Sequence, residues 1–312
     1  MKRIITHYAP HSAPRIAPLI AAFIALGFTL TACNDEYGLN ELLYRADDVN
    51  ARSAYSTKVD APGSDLAPKP DLTGAYTVLI LSDIHFGAHP DHPDLPEAKF
   101  FAWLDGQDAN KTPAFCLVLG DSAEAGTKEE YLQFKAFADK LETGAYDGGA
   151  NGRKIPVYSV VGNHDLYNNG WQYYTQYCKP YVSYYHFTTE KFSWYALDSG
   201  SGTLGGSQLK NLISKLKADP KPKIIFSHYP MYGGGGNFYF SLSDPHERAA
   251  LISAFAKYNV KIVLEGHQHP GSFYDFGSFK EYNVAAFRDK QSWHLLTVNE
   301  ANGTVSLETF TE

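Results

Sequence analysis

Short apolar runs bounded by turn residues recur along the chain at residues 76–82, 115–120, 157–161, 192–197, 224–227 and 262–265. Their length predicts strands rather than helices. Between most of them apolar residues return every three or four positions, which predicts helices over 96–104, 128–141, 171–178, 207–216 and 245–258. Strands that alternate with helices define an α/β core. Beyond Gly271 the pattern changes to strands alone, at about 272–276, 281–287, 293–298 and 304–310, so the chain is expected to end in a meander.

The first 73 residues follow a different pattern. Lys2, Arg3 and Arg15 precede an uncharged stretch over 16–32, and Leu30-Thr31-Ala32-Cys33 closes it. A positive segment, an apolar segment and a small-residue cleavage site form a secretory leader, and the pattern resembles a bacterial lipoprotein signal. Pro18 and Gly27 interrupt an apolar stretch already shorter than the ~20 residues a spanning helix needs, which disfavours an uncleaved anchor. The reading is a signal peptide over 1–32 and an acylated Cys33, placing the body outside the cytoplasm, membrane-anchored at the periplasmic face or the cell surface. Residues 33–73 lack sustained periodicity and collect Pro62, Gly63, Pro68 and Pro70. They are expected to form a flexible tether with a short helix near 39–45, followed by one catalytic domain over 74–312.

Composition narrows the class. A hydrophobic fraction of 44% with 20% charged residues is globular and excludes disordered, collagen-like and polytopic membrane chains. The formal net charge is -7. Because the leader holds three cations and no acid, the remainder carries 24 cations against 34 acids, a balance of -10. Nucleic acid is therefore not expected as a partner. Besides Cys33 there are only Cys116 and Cys178, too few for a disulfide scaffold; Cys116, inside an apolar run, reads as a small buried hydrophobe.

The candidate chemistry falls at the C-terminal ends of predicted strands, where open α/β sheets place their ligands. In chain order these are Asp83-Ile84-His85, Gly120-Asp121, Gly162-Asn163-His164-Asp165, His228, and Gly266-His267-Gln268-His269. Residues two apart in an extended segment point the same way, so Asp83 with His85, and His267 with His269, can each face one site. Carboxylate, amide and imidazole donors without thiolate suit Mn, Fe or Zn. Seven such donors exceed one tetrahedral ion and fit two ions sharing a carboxylate. Five of the ten histidines after the leader fall in this set; His89, His92, His186, His246 and His294 read as surface or core residues.

These ordered motifs, with Ser227-His228-Tyr229-Pro230 among them, resemble the calcineurin-like metallophosphoesterase superfamily from about residue 76 onward. The resemblance implies a two-sheet α/β/β/α sandwich and a dinuclear centre of two divalent or trivalent ions. It assigns Asp83, His85, Asp121 and His269 to one ion and Asp121, Asn163, His228 and His267 to the other. It further implies hydrolysis of a phosphate ester, with His164 acting on the leaving oxygen and Asp165 orienting His164. A phosphomonoester is the expected substrate, with a phosphodiester, or a non-catalytic binding role, as the alternatives. Two departures stand out. Glu124 occupies a position three after Asp121 where the family often has Asp, and no tyrosine lies between Asp121 and Lys128, unlike in purple acid phosphatases. A glycine-rich stretch over 233–236, flanked by Tyr232, Phe238, Tyr239 and Phe240, is expected to form an aromatic loop for the substrate.

Overall fold

The computed structural model describes residues 49–54, 57–60, 66, 72–88, 96–147, 153–233 and 240–311. The leader, Cys33 and the helix expected near 39–45 lie outside the described residues. Elements run in the order α1 (Val49–Arg52), α2 (Thr57–Asp60), β1 (Ala75–Leu81), α3 (Glu97–Asp105), β2 (Cys116–Val118), α4 (Lys128–Thr143), β3 (Val157–Ser159), α5 (Trp171–Tyr177), β4 (Tyr185–Thr188), β5 (Ser193–Ala196) and α6 (Gly205–Ala218). There follow β6 (Lys223–Phe226), α7 (Pro245–Lys257), β7 (Val260–Glu265), β8 (Ser272–Asp275), β9 (Lys280–Asn283), α8 (Phe287–Lys290), β10 (Ser292–Asn299) and β11 (Thr304–Thr311). Local chemistry sets the ends. The Thr127 hydroxyl accepts from the Glu130 amide while the Glu130 carboxylate accepts from the Thr127 amide, closing the N-terminus of α4, and Gly144 at φ +75° ends it.

Period-2 alternation explains how two sheets become a four-layer sandwich. In β1, Val78 and Ile80 face one side and Leu79 and Leu81 the other, and all four are buried. Val78 and Ile80 join Leu117 of β2, Trp194 of β5, Phe226 of β6 and Ile262 of β7 in the layer between the sheets. Leu79 and Leu81 pack instead with Phe100 of α3 and Phe134 and Phe137 of α4. On the far side, Tyr195, Ile225 and Val263 meet Leu212 of α6 and Leu251 and Phe255 of α7. The sheets run β11-β10-β1-β2-β3 and β4-β5-β6-β7-β9-β8. The β1-β2-β3 and β5-β6-β7-β9 runs are parallel, so their C-terminal ends gather at one edge.

The expected architecture is therefore present, with three local differences. β4 escapes the sequence pattern because four residues at a sheet edge are too short for alternation to register. The strands after Gly271 do not form one meander: β9 lies parallel to β7 in one sheet, whereas β10 and β11 close the other, and Phe287 begins α8 instead of ending a strand. Periodicity reports that a strand exists, not which sheet receives it.

The third difference concerns the stretch read as a tether. The compact unit that holds both sheets takes in the described residues from Val49 onward. Within it, α1 delivers Arg52, whose Nε and Nη2 donate to the two carboxylate oxygens of Asp198 at 3.0 Å each. Both side chains are fully buried. A single four-residue turn carries no periodicity, so sequence reading passes over it. Removing one partner strands the other charge in the interior, and Arg52→Ala is expected to cost about 3–5 kcal/mol in urea unfolding of the full chain. A loss under ~1 kcal/mol would show that the pair does not anchor this segment.

Candidate metal centre

All seven predicted ligands lie just beyond the C-terminal ends of β1, β2, β3, β6 and β7. Four of them are held in the left-handed region, with φ +54° at Asp83, +52° at His85, +53° at Asp121 and +70° at His267. Such conformations cost on the order of 1–3 kcal/mol each and persist where the surrounding structure enforces them. Main-chain bonds do so here: the Asp83 amide donates to the Gly120 carbonyl at 3.1 Å and the His85 amide to the Asp121 carbonyl at 2.9 Å. Gly162 allows the third motif to close on the second, since a Cβ there would lie 2.1 Å from Asp121 Oδ1.

The side chains converge in two groups. Asp83, His85 and His269 offer ligand atoms within 4.8 Å of one another, and so do Asp121, His228 and His267. Asp121 Oδ2 joins them, 3.2 Å from His228 Nε2 and 3.8 Å from His85 Nε2. His85 Nε2 and His269 Nε2 face each other at 3.3 Å, 3.9 and 3.6 Å from Asp83 Oδ1.

Proton bookkeeping shows that a cation fits. His228 Nδ1 lies 2.8 Å from the Leu119 carbonyl, which can only accept, so Nδ1 carries the hydrogen and Nε2 turns its lone pair inward. That lone pair faces Asp121 Oδ2 and, at 3.1 Å, Asn163 Oδ1. Asn163 is oriented by its own amide nitrogen, which donates to the Tyr167 hydroxyl at 2.9 Å. Three electron-pair donors thus meet without a hydrogen unless a proton or a metal ion supplies the positive charge. Burial opposes charge on His228, but Asp121 outweighs it and raises the group to about 9. Asp121 responds in the opposite sense: burial would raise it, yet His228 above all, then His164 and His85, hold it far below the usual carboxylate range. His267, buried and near other imidazoles, is lowered to about 3, which favours the neutral ring with one nitrogen lone pair available to a ligand role.

His164 sits in the 3₁₀ turn His164–Asn169, its ring 4.7 Å from that of His85 and 4.7 Å from that of Tyr167. Its Nδ1 donates to the Glu124 main-chain carbonyl at 2.6 Å, so Nε2 is the nitrogen left for chemistry. Asp165 does not play the orienting part expected of it. Its Oδ1 accepts from the amides of Ser122 and Ala123 at 3.0 and 3.1 Å, and Oδ2 from the Gly162 amide at 2.9 Å. A tight turn sends successive side chains apart, so Asp165 is buried behind the Asp121 loop and braces it. Burial, then the charge of Asp121, raises its carboxyl.

Of the expected aromatic loop, Phe238 and Tyr239 lie outside the described residues. Tyr232 packs against Tyr274 and Phe276, at 4.4 and 6.0 Å between ring centres, and Phe240 stands 5.8 Å from the His267 ring. Several supporting groups have no motif of their own. The Ser82 hydroxyl donates to Asp83 Oδ2 at 2.6 Å, Ser199 Oγ accepts from the His228 and Tyr229 amides at 3.0 and 2.8 Å, and Asp289 accepts from His269 Nδ1. Only Tyr167, one turn after Asn163, stands at a spacing that sequence reading could have exploited. Cys116 and Cys178 are both buried and unbridged.

Comparison with known proteins gives the family. The family model for calcineurin-like phosphoesterases matches residues 76–271, and the chain belongs to that family. It is a metallophosphoesterase, a hydrolase of phosphoric esters. No curated protein matches the chain. Among solved structures, a dimetal phosphatase from Danio rerio is similar at a TM-score of 0.53 and 12% identity, over 76% of this chain and 99% of that one. GAP50, the anchor in the inner membrane complex of Plasmodium, is similar at 0.49 and 14% identity, over 77% of this chain and 89% of that one.

Proposed function

We propose that the protein is a phosphomonoesterase working outside the cytoplasm on a lipid anchor, with Asp83, His85, Asp121 and His269 holding one metal ion and Asp121, Asn163, His228 and His267 the other. The observation that carries the site reading is the convergence of His228 Nε2, Asp121 Oδ2 and Asn163 Oδ1 as three acceptors that need a cation. The donor set accepts Mn, Fe or Zn. Bound there, two such ions would polarise the phosphoryl oxygens and lower the pKa of an attacking water. In this reading Asp121 serves both sites, Asn163, held by Tyr167, presents its oxygen, and His164, with Nδ1 on the Glu124 carbonyl, uses Nε2 to protonate the leaving oxygen.

The monoester reading follows from the leader: a lipid-anchored hydrolase facing the outside is suited to releasing inorganic phosphate from monoesters for uptake. Among the described residues no helix is long and apolar enough to cross a membrane; in this proposal the anchor is the acyl group on Cys33 that the leader pattern implies. A kcat/KM comparison on p-nitrophenyl phosphate and bis(p-nitrophenyl) phosphate tests the reading. At least tenfold preference for the monoester is expected, and the reverse order identifies a diesterase. Separately, Cys33→Ser is expected to move the protein from the membrane pellet to the soluble fraction; unchanged membrane association would contradict the lipid anchor.

A further inference from the structure

We infer that Glu124 and Asp289 are positioning residues that make the two metal sites unequal, because a carboxylate stands behind both histidines of one site. The inference rests on the two-ion assignment above. Glu124 Oε2 lies 2.8 Å from His85 Nδ1, and Asp289 accepts from His269 Nδ1. The Asp289 contact leaves Nε2 of His269 as the ligand nitrogen, Glu124 stands at ion-pair distance from Nδ1 of His85, and the two Nε2 atoms face each other across the site with Asp83. In the other site His228 rests on a neutral carbonyl, that of Leu119. A carboxylate behind an imidazole makes the ligand nitrogen more basic as well as fixing the ring, whereas a carbonyl chiefly fixes the ring.

Neither carboxylate is placed by chance. α8, which carries Asp289, is stitched to the loop that carries Asp83 and His85. The Phe287 amide donates to the Ser82 carbonyl at 2.8 Å, and the Arg288 guanidinium donates to the carbonyls of His85, at 2.8 Å, and of Ala88. Glu124 follows the bridging Asp121 by three residues, and its main chain receives His164 Nδ1, so one residue serves a metal ligand with its carboxylate and the leaving-group histidine with its carbonyl. Among the described residues, the first site therefore meets Asp83, the shared Asp121 and two backing carboxylates, offset by Arg288. The second meets Asp121, with Asp83 and the buried Asp165 also acting on His228, but His228 has a carbonyl rather than a carboxylate behind it. Electrostatics then orders them: the Asp83 site fills first and holds its ion more tightly.

Titration of the metal-free full-length protein with Mn²⁺, followed by calorimetry and by the EPR signal of free Mn²⁺, tests this without reference to activity. Wild type is expected to show a tight and a weak step, with His228→Ala removing the weak one and so assigning both. Glu124→Gln and Asp289→Asn keep shape, and their side chains are 38% and 48% exposed, so both variants should melt as wild type does. Each is expected to weaken the tight step by about 10- to 100-fold and to leave the weak step unchanged. If both steps weaken alike, or neither changes, the inference is overturned while the two-ion assignment stands. A wild-type protein that binds no Mn²⁺ overturns both.

Discussion

Asp121→Asn is expected to lose more metal than any other single ligand change and to lower kcat/KM by about 10³ or more. One oxygen, Oδ2, faces His228 of one group and His85 of the other, so among the described residues this carboxylate is the one that spans both groups. Two dications held about 4 Å apart would repel through four unit-charge interactions of roughly 4 kcal/mol each at an effective dielectric near 20. The negative charge between them offsets that repulsion. Asparagine keeps the shape and the bond that Oδ1 accepts from the His164 amide at 2.9 Å, but removes the charge. Losing several kcal/mol of transition-state charge stabilisation corresponds to three or more decades of rate. Metal analysis of the purified variant by mass spectrometry checks this; two ions per chain with normal turnover would refute the bridging assignment.

His164→Ala is expected to retain both ions and to slow hydrolysis of an alkyl phosphate by roughly 10² to 10⁴, the usual worth of proton transfer by a placed side chain. The nitrophenyl ester should lose much less, because nitrophenolate leaves without a proton. The geometry supports this division. Asn163, the preceding residue, points its oxygen to His228, whereas His164 is held away on the Glu124 carbonyl with Nε2 uncommitted. Equal losses on both substrates would make His164 an electrostatic or binding residue. Loss of a metal would place it among the ligands, a possibility given substance by the cluster of His85, Glu124 and His164, whose ligand atoms lie within 4.8 Å of one another.

Much of this was legible in the sequence because two kinds of regularity survive without coordinates. Buried parallel strands leave apolar runs, and open α/β sheets put ligands after them, so Asp83, Asp121, Asn163, His228 and His267 were recognisable by position as well as by type. The groups that orient them were not. Asp289 reaches His269 from a four-residue helix twenty positions away, and Ser199 reaches His228 from the end of another strand. Such contacts depend on the crossing of chains, which leaves no local pattern. Asp165 shows the converse hazard. Adjacency to His164 suggested a dyad, but the 3₁₀ turn sends the two side chains apart and Asp165 braces the backbone instead. The Arg52–Asp198 pair, 146 residues apart in sequence, was invisible for the same reason.

If these residues form a two-metal hydrolytic site, metal content and activity rise and fall together. Metal content measured alongside activity on p-nitrophenyl phosphate, before chelation, after chelation and after readdition of Mn²⁺, tests it most directly. Two ions per chain, activity abolished by chelation and regained as the second ion returns are the predicted results. Protein that hydrolyses the ester free of metal, or that binds no metal at all, would contradict it.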